Sequence, residues 1–182
     1  MLFKFWGKFL KNWAGDEDAT TAIEFSLLII PYLMLSLGII ELALMFTSAS
    51  LLEAATGNAA RMIRTGQLQQ SGSADPAADF RDALCSNLVA LISCDNVVIE
   101  VQRMDSYTDY SSMQPTFDEN GNMVSSGFDV GGSNDKLLIR TSYRYEMITP
   151  LVGQLLNGPD GSTLFISTIV LQTEPYEFQG AT

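Results

Sequence analysis

The chain has 182 residues, enough for one compact domain plus an anchor. Its 21 Asp and Glu outnumber its 10 Lys and Arg, for a formal charge of -11. A broad nucleic-acid surface, which needs clustered cations against phosphate, is thereby excluded. Histidine is absent, which removes His-based triads and most catalytic zinc sites.

Lys4, Lys8 and Lys11 fall in the first dozen positions, interleaved with Phe3, Phe5, Trp6, Phe9 and Trp13. By the positive-inside rule this end is cytoplasmic, and the aromatic spacing suits a segment lying on the membrane surface. Residues 25–46 read FSLLIIPYLMLSLGIIELALMF, with Glu41 as the only charge. About 22 residues rising ~1.5 Å each reach ~33 Å, the thickness of a bilayer's hydrocarbon core. A buried helix of a soluble protein is rarely apolar on every face at this length. Pro31 is tolerable there, because contacts with neighbours can satisfy the carbonyl it frees. A secretory signal is the competing reading, with Thr47, Ser48 and Ala49 as a small-residue cut site. Glu41 lies near the outer end, where it reaches the headgroups; Glu24 stands at the inner boundary.

Helical spacing continues past the apolar stretch. Leu51, Leu52, Ala55, Ala59, Met62 and Ile63 recur at three- and four-residue steps, with Glu53, Asn58, Arg61 and Arg64 between them. Gly66 is a natural stop. One helix is therefore predicted over residues 21–65, about 67 Å long at ~1.5 Å per residue. A Gly/Ser/Gln linker follows over residues 67–74. Asp75 and Pro76 supply a cap and a first-turn proline for a second helix, which Phe80, Leu84, Leu88, Leu91 and Ile92 carry to position 92. Cys85 and Cys94 form one local disulfide if the domain is exported, pinning this helix to the next strand; in a reducing compartment they are two buried thiols.

Strands are predicted at residues 97–104, 137–147 and 163–173 from two-residue alternation. In the second, Leu137, Ile139, Thr141, Tyr143 and Tyr145 share one face, and Arg140 and Arg144 mark the other. In the third, Leu164, Ile166 and Val170 oppose Phe165, Ile169 and Leu171. Residues 105–135 form a polar loop with a short hairpin around Asn120 and Gly121. Residues 150–158 are an apolar connector. A helical half followed by strands gives the α+β class: a long helix leaning on an antiparallel sheet of three or four strands.

No catalytic constellation emerges, since a nucleophilic serine without histidine needs a lysine base and only Lys136 lies in the exported part. The chain is read as a non-enzyme without cofactor. Asp118, Asn120, Asn122 and Asp129 have the oxygen spacing of a calcium loop, but Met123 stands where its turn glycine belongs; a solvated turn is the reading, and no metal is assigned. Tyr107, Tyr110, Met113 and Phe117 in the polar loop are either contact residues or cover for a sheet edge.

Three stretches carry a resemblance. Thr20-Thr21-Ala22-Ile23-Glu24-Phe25, followed by aliphatics and Pro31, resembles the start of a mature type IV-type pilin, with an acid at the fifth mature position. Ala59-Ala60-Arg61 leads to Arg64-Thr65-Gly66-Gln67, and the last strand ends in Glu174-Pro175-Tyr176. In this order they resemble the TadE-like pseudopilins and minor pilins of the tight-adherence (Tad, Flp-type IVb) pilus system. The resemblance implies a pilin-like fold in which Glu24 is the assembly acid, pairing with the terminal ammonium of a neighbouring subunit. It implies a cut between Ala19 and Thr20, although glycine is usual at the position Ala19 occupies. It further implies a leader or cytoplasmic tail at 1–19, a transmembrane and extended helix at 20–66, and an extracytoplasmic head at 67–182. The localisation implied is the bacterial inner membrane, with a periplasmic head that enters a surface pilus. The implied partners are the membrane, other Tad pilins and pseudopilins, and assembly-platform proteins. The implied function is priming or capping the filament, and so surface adhesion. The alternative is an uncleaved inner-membrane scaffold of the assembly machinery; a periplasmic binding module has no motif in its favour.

Overall fold

The computed structural model describes residues 17–88, 91–157 and 161–176. The basic, aromatic segment with Lys4, Lys8 and Lys11 lies outside them. The chain divides into two compact units, Met1–Ala43 and Leu44–Thr182.

Helix α1, Glu17–Arg64, supplies all the described residues of the first unit and enters the second. It begins at Glu17, four residues before the predicted start. Pro31 sits inside it and removes one backbone donor. Arg61 and Arg64 occupy its last turn, and Gly66 then turns left-handed at φ 73°. The predicted linker at 67–74 is instead opened by a helical turn, α2 (Gln67–Gln70), which buries Leu68; the apolar side chain finds the core, and the turn follows it.

The second unit is α+β. Asp75 caps α3 (Pro76–Cys85), its Oδ1 accepting from the Ala78 amide at 3.0 Å. The expected run to Ile92 is not made. Ser86 and Asn87 turn their side chains onto the Ala83 carbonyl, at 2.8 Å each, and end the helix at Cys85. A 3-10 turn, Cys94–Asn96, leads into β1 (Val97–Met104). A second 3-10 turn, Tyr107–Ser111, opens the polar loop. Within that loop β2 (Thr116–Phe117) and β3 (Met123–Val124) pair as a short hairpin. Strand β4 (Lys136–Glu146) follows, then α4 (Pro150–Asn157), which replaces the expected connector, then β5 (Ser162–Gln172).

The main sheet is antiparallel in the order β1-β4-β5, with Val101 opposite Ile139 and Ile139 opposite Ile169. Alternation assigns its faces. Val97, Ile99 and Val101, Leu137 and Ile139, with partly buried Phe165, Ile169 and Leu171, pack on Leu52, Ala55, Ala59 and Ile63 of α1 and on Phe80 and Leu84 of α3. Thr56 Oγ1 and Thr141 Oγ1 hydrogen-bond across that interface, so both hydroxyls are satisfied out of water. Burying roughly ten such apolar side chains at ~1.5–3 kcal/mol each is what holds helix and sheet together.

The opposite face was expected to be polar at Arg140. It is covered. Residues 105–135 fold back over it, and Arg140 is 3% exposed. A central strand needs cover on both faces, and here the long loop provides the second layer.

Candidate assembly interface

Between Thr20 and Ile40 the side chains of α1 face outward. Phe25, Leu27, Leu28, Ile30, Tyr32 and Leu35 are each more than 60% exposed. In water such a surface is untenable; it belongs in lipid or against other apolar helices. The helix is long and apolar enough to cross a membrane. Its polar features gather near one end. Thr20, Thr21 and Glu24 are exposed. Ser26 Oγ donates to the Ile23 carbonyl at 2.8 Å. Pro31 leaves the Leu27 carbonyl without its helical donor. Glu24, Leu27, Leu28 and Pro31 follow the three-four spacing of a single helix face, so one neighbouring chain could meet the carboxylate and the freed carbonyl together. Ala19 and Thr20 lie within the first turns of α1. Glu41, expected to reach the headgroups, is 2% exposed and engaged within the chain; a carboxylate out of water needs such a partner.

In the head, two distant stretches meet. The backbone amide of Glu174 donates to the Arg64 carbonyl at 2.8 Å, and the Glu174 carboxylate lies 3.5 Å from Arg64 Nε. A Cβ on Gly66 would come within 2.6 Å of the Tyr176 ring. Tyr176 is held in turn by its amide on Ser133 Oγ at 3.1 Å. Burial raises its phenol pKa above the ordinary 10.0, helped by nearby Asp135. Thus Arg64-Thr65-Gly66 and Glu174-Pro175-Tyr176 are two halves of one junction, where the end of β5 closes the end of α1.

The opposite sheet face is built on cations. Arg140 Nη1 lies 3.3 Å from Glu100 Oε2, and Arg140 Nη2 donates to the Met113 carbonyl. Glu100 Oε1 also accepts from the Ser126 amide at 3.3 Å and from Gln102. Arg144 Nε donates to Asn122 Oδ1 at 2.6 Å and its Nη2 to the Asn120 carbonyl at 3.0 Å. The two arginines therefore tie the polar loop to β4. Sequence alternation put them on this face but gave no sign that a loop would cover it.

The turn from Asp118 to Asn122 is held by its own hydrogen bonds. Asp118 accepts from the amides of Asn120 and Asn122, at 2.9 and 2.7 Å, and from the Asn122 side chain. Those bonds, those of Asn122 first, hold its pKa below 3.8, and the Arg144 charge adds to them. Asn122 Oδ1 is taken by Arg144, while Asp129 caps a different turn through the Gly131 amide at 2.9 Å. Among the described residues no three acids or cysteines gather as a metal site. Tyr107, Tyr110 and Phe117 are about half exposed. The Tyr107 hydroxyl donates to Gln172 Oε1 at 3.4 Å, with Lys136 over its ring.

Cys85 and Cys94 are bonded, with Cα atoms 5.7 Å apart. They join the last residue of α3 to the turn before β1. Arg81 braces the same junction by donating to the carbonyls of Cys94 and Val97, at 3.3 and 3.1 Å; the sequence gave no cue to that role.

Residues 19–61 match the model of the TadE-like protein family. The match covers the apolar helix with Glu24 and the start of the helix's packing on the sheet. No curated protein and no solved structure matches the chain.

Proposed function

From the TadE-like region at residues 19–61, we propose that this chain is a minor pilin or pseudopilin of the Tad/Flp type IV pilus, taking part in priming the filament or forming its tip, and so in surface adhesion. The observation that carries the reading is the outward-facing apolar helix with Glu24 as its one charge between Thr20 and Ile40. A carboxylate there is costly in lipid unless another chain supplies a positive partner. Packing between helices of neighbouring subunits would supply it, through a terminal ammonium freed by a cut between Ala19 and Thr20. The same helix continues to Arg64, so the apolar stretch and the segment that packs on the sheet belong to one element. Residues 67–182 then form the extracytoplasmic head, and Lys4, Lys8 and Lys11 keep the other end in the cytoplasm. Partners are the membrane, other Tad pilins or pseudopilins and the assembly platform.

One observation favours the alternative of an uncleaved inner-membrane scaffold of the assembly machinery. The bond between Ala19 and Thr20 lies inside a helix, and a peptidase needs that turn unwound. Two measurements separate the readings: the mass of the protein from membranes, and its presence in sheared pili. A mature start at Thr20 together with recovery in the pili is expected. An intact N-terminus and absence from pili would reverse the choice.

A further inference from the structure

The two edges of the main sheet are treated differently. On β1 several outward groups are taken: the Val101 amide donates to the Gly127 carbonyl at 3.0 Å, the Asp129 amide to the Val101 carbonyl at 2.9 Å, and Ser125 Oγ to the Ile99 carbonyl at 2.7 Å. On β5 they are not. Thr173 bonds Asp135 and Gly161 bonds Met147, so odd-numbered residues of β5 face β4. The amides and carbonyls of Leu164, Ile166, Thr168 and Val170 therefore point away from the sheet, and among the described residues none has a backbone partner. Among the described residues this edge carries none of three usual protections, a charge, a proline or a bulge. Ser162–Gln172 contains no charge and no proline, and its pairing with β4 runs through eleven residues without a bulge. Beside it runs a groove lined by Ala49, Leu52 and Glu53 of α1 and by residues 164–168 of β5. Glu53 is exposed there, with no ion-pair partner among the described residues.

We propose that the outer edge of β5 is a strand-addition site for an extended segment of another protein, apolar at alternate positions and bearing Lys or Arg to meet Glu53. Main-chain bonds to Leu164, Ile166, Thr168 and Val170 give affinity, and alternate side chains enter the groove. Charge selects the partner, because the chain carries -11 overall and three of its ten cations precede the apolar helix. A second copy does not fit. Ser162–Gln172 of another molecule carries no charge, so it offers no cation to Glu53. The inference is independent of the pilus reading.

The test uses the full chain in detergent micelles and four synthetic octapeptides. One alternates valine with threonine and lysine. The second replaces lysine by glutamate, the third is N-methylated at alternate residues, and the fourth contains proline at its centre. Binding is read by titration, and amide hydrogen exchange is followed at Leu164, Ile166, Thr168 and Val170. The basic peptide is expected to bind and to slow exchange at these four amides. The methylated, proline and acidic twins should each bind about tenfold or more weakly. Glu53→Gln should weaken the basic peptide by about threefold, the size of an exposed ion pair. Equal binding of the methylated peptide overturns the proposal, as does slow exchange at these amides in the free protein. Protection that rises with the protein's own concentration overturns it in favour of self-association.

Discussion

The backbone amide of Glu174 donates to the carbonyl of Arg64 across 2.8 Å, so the chain leaving β5 satisfies a carbonyl that the end of α1 leaves open. The ion pair between the same residues is more than half exposed on both sides and adds little. What fixes the junction is Gly66, left-handed at φ 73° beneath the Tyr176 ring.

Gly66→Ala is therefore expected to destabilise the head by about 1–3 kcal/mol, combining backbone strain with the clash against Tyr176. Urea pulse proteolysis of the full chain in micelles measures it. In the Tyr176→Ala background the penalty of the same substitution should fall to about 1 kcal/mol, the backbone part alone. An unchanged penalty would mean that the ring yields freely.

Arg140→Met removes the cation paired with Glu100, whose side chain is 1% exposed. A loss of about 3–5 kcal/mol is expected, because a buried carboxylate is left unpaired. Adding Glu100→Leu should restore most of it, since an apolar pair can replace a buried ion pair. The same proteolysis assay reads both. Exchange at residues 105–135 should also quicken in Arg140→Met, as the Met113 carbonyl loses its donor.

The β2–β3 hairpin should be sensitive to acid through Asp118. Its folded pKa lies below the ordinary 3.8, so its contribution is complete above 3.8 and is lost as pH falls through the lower, folded value. The amides of Asn120 and Asn122 should stay protected from neutral pH down to about 3.8 and open only under stronger acid. Asp118→Asn should weaken that protection at neutral pH. Amide exchange followed across the acid range decides it.

Reduction of Cys85 and Cys94 should lower stability by about 2–3 kcal/mol, the chain-entropy value for a loop of about ten residues. Unfolding midpoints with and without dithiothreitol measure this. Cys85→Ala with Cys94→Ala should reproduce the reduced value under oxidising conditions.

Glu24→Val should leave the protein in the membrane, since the span becomes only more apolar. Its recovery in sheared pili should fall about tenfold or more if the carboxylate pairs with a neighbouring subunit. Immunoblots of the membrane and pilus fractions give both numbers. Equal incorporation would remove Glu24 from assembly.

Local chemistry made much of this protein legible in its sequence. The unbroken apolar run fixed α1 to within a few residues, and two-residue alternation placed β1 at residues 97–104 and both faces of β4. The spacing of Cys85 and Cys94 matched a bond the fold makes. These are signals that neighbours in the chain carry, because periodicity depends on where successive side chains point. Tertiary structure decided the rest. Ser86 and Asn87 turn onto the Ala83 carbonyl and α3 stops at Cys85, while Ile92 still reaches the core from beyond the helix and Leu88 packs against it. Residues 150–157 wind into α4, and Gln67–Gln70 into a turn that buries Leu68. Arg140 lies on the face that alternation assigned, yet it is buried because a loop distant in sequence folds over it. The junction of Arg64 with Glu174 and the place of β5 at the edge of the sheet likewise depend on which segments meet after collapse. A residue's periodicity is written in its neighbours, whereas what comes to cover it is set by long-range packing that no local pattern records.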